Sequence, residues 1–151
     1  MWKRGAPTGA LTWMNAELAS ELSTLDRAEV TSPESAAEIL VPMIGGADRE
    51  MCVVLLLDTK HRLIRPEVVS VGSLDHTFMS PREIFRTALL SNAAAVVVSH
   101  NHPSGDAEPS RDDEQVTRRL VRAGEMIGVE VLDHLVVGGS RWVSLARRGM
   151  V

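Results

Sequence analysis

Tyrosine is absent from this 151-residue chain, and the other large aromatics are scarce, with two phenylalanines and three tryptophans. Surfaces that grip single-stranded nucleic acid stack bases on aromatic rings, so this poverty speaks against that class of function. Cysteine is nearly absent too. Cys52 stands alone, which excludes an intramolecular disulfide and a zinc site built from cysteines. It lies in the apolar run of residues 51–57, where an inert core thiol is expected, because a reactive thiol needs an electropositive, partly exposed setting. An excess of positive charge is also missing: 16 Lys and Arg face 20 Asp and Glu, for a net charge of -4. Binders of duplex nucleic acid carry a basic face, and the totals give no sign of one. Arg118, Arg119 and Arg122 lie close together on one predicted helix, where a solvated face is the plain reading. The uninterrupted apolar runs are far too short to cross a bilayer. Residues 10–22 are broken by Asn15, Glu17 and Glu21, so no signal-peptide core follows Lys3 and Arg4. The expectation is a cytoplasmic protein with no membrane partner.

What is present is ordinary in amount and specific in order. Apolar residues make up 44% and charged residues 24%, as in a globular domain, and the length suits one hydrophobic core rather than two. Residues 1–9 hold Gly5, Pro7 and Gly9 without periodicity and read as a loose tail, while residues 12–25 allow a short helix through Met14, Leu18 and Leu22. Ser32-Pro33 opens a helix with a capping hydroxyl and a proline at its first position. Ala36, Ile39, Leu40, Met43 and Ile44 keep helical spacing until Gly45-Gly46. Residues 50–57 read as a central strand, 58–62 as a turn, and 63–74 as a returning strand bent near Pro66 and Gly72. Ser80-Pro81-Arg82-Glu83 reads as a capping box before a helix with an apolar stripe of Ile84, Phe85, Ala88 and Leu89. A buried strand over residues 93–99, a long helix over 110–127 and a hairpin over 129–145, turning at Gly138-Gly139, complete the chain. The fold class expected is α/β: a mixed sheet with helices packed on its faces.

The chemistry concentrates where the strand over residues 93–99 meets the helix over 110–127. There His100-Asn101-His102-Pro103 is followed by Ser110 and Asp113. A strand end and a helix start that converge are where α/β proteins place their sites. If the chain leaves the strand extended, His100 and His102 point the same way, because the strand period is two. Residues 103–109 include Pro-Ser-Gly-Asp, which turns a chain sharply and can carry Ser110 back over the histidines. Asp113 then falls in a first helical turn, where backbone N–H groups favour an ionised carboxylate. Two imidazoles and one acid form the ligand set of an open zinc site. The same set also suits a two-histidine-one-carboxylate iron site. Ser110 and Asp113 equally fit a capping pattern, and the two roles are compatible. Asp106 reads as an Asx-type turn, Asn101 and Ser104 as partners of a histidine or of the loop, Asp133-His134 as a hydrogen-bonded pair supporting the sheet, and His61 and His76 as exposed loop histidines.

The run His100-Asn101-His102-Pro103-Ser104-Gly105-Asp106, followed by Pro109-Ser110 and Asp113, resembles the JAMM signature of the JAB/MPN metalloproteases, and within them the bacterial RadC branch. The resemblance covers roughly residues 31–145. It includes Arg49-Glu50, Leu57-Asp58-Thr59-Lys60, Pro81-Arg82-Glu83-Ile84-Phe85 and Leu132-Asp133-His134. It implies a JAB/MPN fold, a cytidine-deaminase-like three-layer arrangement, over residues 31–151, behind an N-terminal tail or short helix over 1–30. RadC chains usually carry a helix-hairpin-helix-type region there, and with only about thirty residues ahead of the domain it is expected to be missing or vestigial. The resemblance further implies a zinc ion held by His100, His102 and Asp113 with a water in the fourth position. In it Glu50 is the general base and acid, and Ser110 helps to hold the oxyanion. Glu50 owes its place to the resemblance, since an acid at a strand edge is ordinarily just solvated.

The activity implied is hydrolysis of a peptide or isopeptide bond in a protein or peptide substrate. A DNA-associated module in repair or recombination is the alternative that the RadC name brings, with weak support from the acidic balance and scarce aromatics. The edges of a small sheet leave room for a homodimer.

Overall fold

The structure is a computed structural model and describes residues 28–72 and 79–151. The expected tail over 1–9, the expected helix over 12–25, the far end of the second strand and His76 lie outside the described residues.

Helix α1 (Pro33–Ile44) begins with a reciprocal cap. The Ser35 amide donates to Ser32 Oγ at 3.1 Å and the Ser32 amide donates to Ser35 Oγ at 3.1 Å, with Pro33 in the first helical position. The helix ends at Ile44, yet Gly45 keeps a right-handed φ of -62°. Its missing side chain serves a close approach instead of a left-handed stop: a Cβ there collides with the Gly139 carbonyl oxygen and lies 2.7 Å from that of Val41.

Strands β1 (Met51–Leu57) and β2 (Leu63–Val71) pair antiparallel across a turn in which Asp58 Oδ1 accepts the amides of Lys60 at 2.8 Å and Arg62 at 2.9 Å. Helix α2 (Pro81–Leu90) starts at the expected proline, but Ser80 makes no side-chain bond to it, so the expected capping box does not form. Pro81 has no amide hydrogen to satisfy and a φ already suited to a helix, which is enough to begin one. Ile84, Phe85 and Ala88 are buried as expected, whereas Leu89 is exposed.

Strand β3 (Ala95–Asn101) starts two residues later and runs two residues further than the sequence implies, so His100 belongs to the sheet. Helix α3 (Arg111–Ile127) carries the chain to β4 (Glu130–Gly138), and a two-residue turn with Gly139 at φ 60° leads into β5 (Arg141–Ser144). The sheet order is β2-β1-β3-β4-β5, antiparallel except for the β3–β4 pair. A parallel pair cannot be joined by a tight turn, and α3 supplies the crossover.

Alternation along the strands builds two cores. Val53, Leu55, Leu57, Val97, Leu135 and Val137 face α1, where Leu40 and Ile44 are fully buried. Cys52, Val54, Leu56, Val96 and Val98 face α2 and α3, against Ile84, Phe85 and Leu120. The result is the expected three layers, helix, mixed sheet and helices, with β1, β3 and β4 buried on both faces. No helix among the described residues is long and apolar enough to cross a membrane.

Candidate metal centre

The site forms at the end of β3, and the sheet itself aims its first ligand. His100 has the same parity as Val96 and Val98, so it faces the α3 side, and it is almost fully buried. The ladder continues one step past the strand, since the His102 amide donates to the Val137 carbonyl at 2.7 Å. That bond keeps the chain extended and returns His102 to the same face. The two Nε2 atoms stand 3.1 Å apart, with the rings edge to face at 5.0 Å between centroids.

The loop then folds back sharply. Gly105 adopts φ 87°, its amide donates to the His102 carbonyl at 3.0 Å, and Asp106 Oδ1 accepts the Glu108 amide at 3.0 Å in the expected Asx-type turn. Ser104 takes part in loop packing, as its Oγ accepts the Asp106 amide at 3.3 Å. The loop rests on the end of β4 at Gly138, where a Cβ would lie 2.6 Å from Ala107 N and 2.6 Å from the Gly105 carbonyl oxygen. Only a bare backbone leaves room for that contact.

Helix α3 delivers the third group. Ser110 is its N-cap: Ser110 Oγ accepts the Asp113 amide at 3.1 Å, and Asp113 Oδ2 accepts the Ser110 amide at 2.8 Å. The capping pattern seen in the sequence therefore forms, and the same carboxylate reaches the histidines. Asp113 Oδ1 lies 3.1 Å from His100 Nε2, and Asp113 Oδ2 lies 3.1 Å from His102 Nε2. Burial pushes the Asp113 carboxyl upward. The hydrogen bond and charge of His100, the Ser110 amide and the charge of His102 outweigh it and hold the acid well below the usual carboxylate range.

His100, His102 and Asp113 each place a ligand atom within 4.8 Å of the others. The donor set fits a cation. His102 Nδ1 lies 2.8 Å from the Asp106 carbonyl, which can only accept, so Nδ1 carries a proton and Nε2 is the nitrogen that the neutral ring would offer to an ion. That nitrogen stands 3.1 Å from Asp113 Oδ2, so imidazole and carboxylate face a shared point that a positive ion could occupy. The two Nε2 atoms lie 3.1 Å apart, and each meets a different oxygen of the Asp113 carboxylate at 3.1 Å, so all three side chains converge on one small space. The His102 and Asp113 side chains keep 18% and 14% of their surface against 1% for His100, so the centre is open on one side.

Glu50 stands apart from this cluster. It is half-buried and immediately precedes β1, and its carboxylate is not among the three converging groups. The antiparallel register pairs Cys52 with His100 at the end of the β1–β3 ladder, so Glu50 precedes β1 at the same end of the sheet where His102 follows β3. Asn101 proves to orient neither histidine. Its carboxamide bonds the backbone on both sides of Glu50, through the Met51 amide and the Arg49 carbonyl.

Asp133 and His134 are not partners through their side chains. Successive strand residues point to opposite faces, so they serve different layers. Asp133 accepts Ser144 Oγ–H at 2.6 Å and the amides of His134 and Ala146 at 2.7 and 3.0 Å, which braces β4 against β5. His134 turns instead to the metal centre, where its Nε2 lies 2.7 Å from His100 Nδ1 and its Nδ1 lies 2.5 Å from Thr117 Oγ1. Burial, reinforced by His100, holds His134 well below an ordinary imidazole against the opposing charge of Asp113, so it is neutral. The sequence reading missed His134 and Thr117 as parts of the site. A histidine within an apolar strand and a threonine four residues after a ligand aspartate were the available signals. His61 is half-buried in the β1–β2 turn with φ 57°, more enclosed than the exposed loop residue expected.

A three-layer mixed-sheet domain with a His-x-His pair at the end of a central strand, and an aspartate on the following helix, is the arrangement of a JAB-type domain. The family model described as RadC-like JAB domain matches residues 30–150, and the chain belongs to that family. Among its relatives, a UPF0758 protein of Symbiobacterium thermophilum is 43% identical over 141 residues, covering 93% of this chain and 60% of the relative. A UPF0758 protein of Methanosarcina mazei is 41% identical over 138 residues, covering 89% of this chain and 60% of the relative. One of Alcanivorax borkumensis is 49% identical over 120 residues, covering 80% and 54%. The chain thus spans about 60% of the length of the first two relatives.

Proposed function

We propose that this domain is a zinc-dependent hydrolase that cleaves a peptide or isopeptide bond in a protein or peptide substrate with an activated water. The observation that carries the reading is the convergence of two imidazole nitrogens and one ionised carboxylate at an open strand end. When bound, zinc supplies a water whose pKa is lowered to about 7 and polarisation of the scissile carbonyl.

The chain's own residues supply the rest. His100, His102 and Asp113 hold the ion from one buried side and leave the other to substrate. Glu50, which precedes β1 at the sheet end that carries the histidines, takes the proton of the attacking water and passes it to the leaving amine. Ser110 Oγ accepts the Asp113 amide, so its hydroxyl hydrogen is left to donate to the oxyanion that forms on the carbonyl.

The test is metal content of the purified domain after zinc is supplied, followed by cleavage of ubiquitin-like and plain peptide substrates with and without chelator. About one zinc per wild-type chain, and none in His102→Ala, supports the reading; a wild type that takes up no zinc ends it. Glu50→Gln is expected to keep the metal and lose turnover, and equal hydrolysis by the two proteins removes Glu50 from the mechanism.

A further inference from the structure

His100, His134, Thr117 and Asp113 form one continuous chain of contacts behind the metal centre. Its separations are 2.7 Å from His100 Nδ1 to His134 Nε2, 2.5 Å from His134 Nδ1 to Thr117 Oγ1, and 2.7 Å from Thr117 Oγ1 to the Asp113 carbonyl oxygen. His100, Thr117 and His134 are buried, so their polar atoms depend on protein partners rather than on water. Each short contact holds a single proton, and the direction of every one follows from the far end.

The Asp113 carbonyl can only accept, so Thr117 gives it the hydroxyl proton. Having spent its one hydrogen, Thr117 Oγ1 can only accept from His134, which therefore carries its proton on Nδ1. A neutral imidazole has one N–H, so His134 Nε2 is a bare acceptor facing His100 Nδ1. His100 must then hold a proton on Nδ1, which leaves Nε2, the atom beside His102 Nε2 and Asp113 Oδ1, as the nitrogen that its neutral ring would offer to an ion.

We propose that Thr117 and His134 are positioning residues that select the His100 tautomer able to bind zinc, and that they couple this ligand to the helix turn carrying Asp113. This rests on the reading of the site as a metal centre. The opposite tautomer, with the proton on Nε2, points a hydrogen where the ion must sit and cannot ligate through that atom. Outer partners of metal-bound histidines typically fix ring orientation and tautomer in this way. Here the partner is a second histidine whose own tautomer is set by a threonine anchored on the backbone of another ligand. His102 reaches the same state by a separate route, through the Asp106 carbonyl. The two imidazoles are thus prepared independently, one by the sheet and α3, the other by the loop.

The direct test is long-range proton–nitrogen NMR of the metal-free domain labelled with nitrogen-15 in its histidines, which distinguishes an Nδ1–H from an Nε2–H ring. The expected result is a proton on Nδ1 of both His100 and His134; an Nδ1 without a proton on either ring overturns the proposal. The second measurement is zinc affinity by competition with a chromophoric chelator. Thr117→Val keeps the shape but removes the hydroxyl, and is expected to weaken zinc binding by about 10–100-fold. Thr117→Ser restores the hydroxyl and is expected to recover affinity. Unchanged affinity in Thr117→Val, or no recovery in a folded Thr117→Ser, counts against the assignment. If Thr117→Val does not fold, the NMR measurement on the wild type still decides. A wild type without zinc affinity fails the metal-centre reading on its own, while the tautomers remain separately observable.

Discussion

The Asn101 side-chain carbonyl accepts the Met51 amide at 2.6 Å, while its amide group donates to the Arg49 carbonyl at 2.9 Å, so one buried residue grips the backbone on both sides of Glu50. Glu50 lies just outside β1, and Asn101 is the residue between the two histidines. The backbone on both sides of Glu50 is thereby tied to the same stretch of chain that presents His100 and His102.

Replacing Asn101 tests that tie. Asn101→Ala strands the Met51 amide and is expected to cost about 1–3 kcal/mol of stability in a denaturant titration. Zinc content should stay near one per chain while hydrolysis falls toward that of Glu50→Gln. If turnover survives intact in a folded Asn101→Ala protein, the clamp does not position Glu50.

Gly138→Ala tests the seat of the loop. The added carbon would lie 2.6 Å from Ala107 N and 2.6 Å from the Gly105 carbonyl oxygen, both backbone atoms that cannot rotate away. Overpacking of this kind costs about 1–3 kcal/mol. Because the displaced segment includes the Asp106 carbonyl that orients His102, zinc affinity should fall together with stability. A chelator competition that finds wild-type affinity shows that the loop can move without the ligand.

Cys52 provides a probe of the sheet. It is fully buried across from His100, and burial pushes its thiol up to about 12 because the thiolate has no solvent to stabilise it. The group stays protonated up to that pH, so labelling by a thiol reagent at pH 8 should be far slower than for a free cysteine. It should become fast on unfolding. As the chain has a single cysteine, the signal has one source. Rapid labelling of the native domain contradicts the burial.

Zinc should stabilise the folded domain by mass action. Free zinc at about 100 times its dissociation constant adds about 2.7 kcal/mol if it binds only the native state. The expected observation is a rise in Tm with zinc, reversed by chelator and absent in Asp113→Asn. A rise that persists in Asp113→Asn shows that the ion binds elsewhere.

The elements that carry the site were legible because their signals are local. Proline and serine mark the start of α1, apolar runs mark β1 and β3, and Ser110 and Asp113 announce both a cap and a ligand within one helical turn. The expectations that failed concern side-chain contacts that a local pattern does not contain. Ser80 makes no side-chain bond to its helix, and the His134 ring turns to the face opposite Asp133, where it meets His100 and Thr117.

Spacing alone therefore specified the ligand types and the direction of the two imidazoles, because a period of two and one helical turn are properties of the backbone itself. The remaining contacts join residues far apart in the chain: Asn101 with Met51 across 50 positions, His100 with His134 across 34, and His134 with Thr117 across 17. Such contacts depend on which strands become neighbours and in what register, which packing of the two cores on either side of the sheet decides. Which groups stand behind His100 is a consequence of that register.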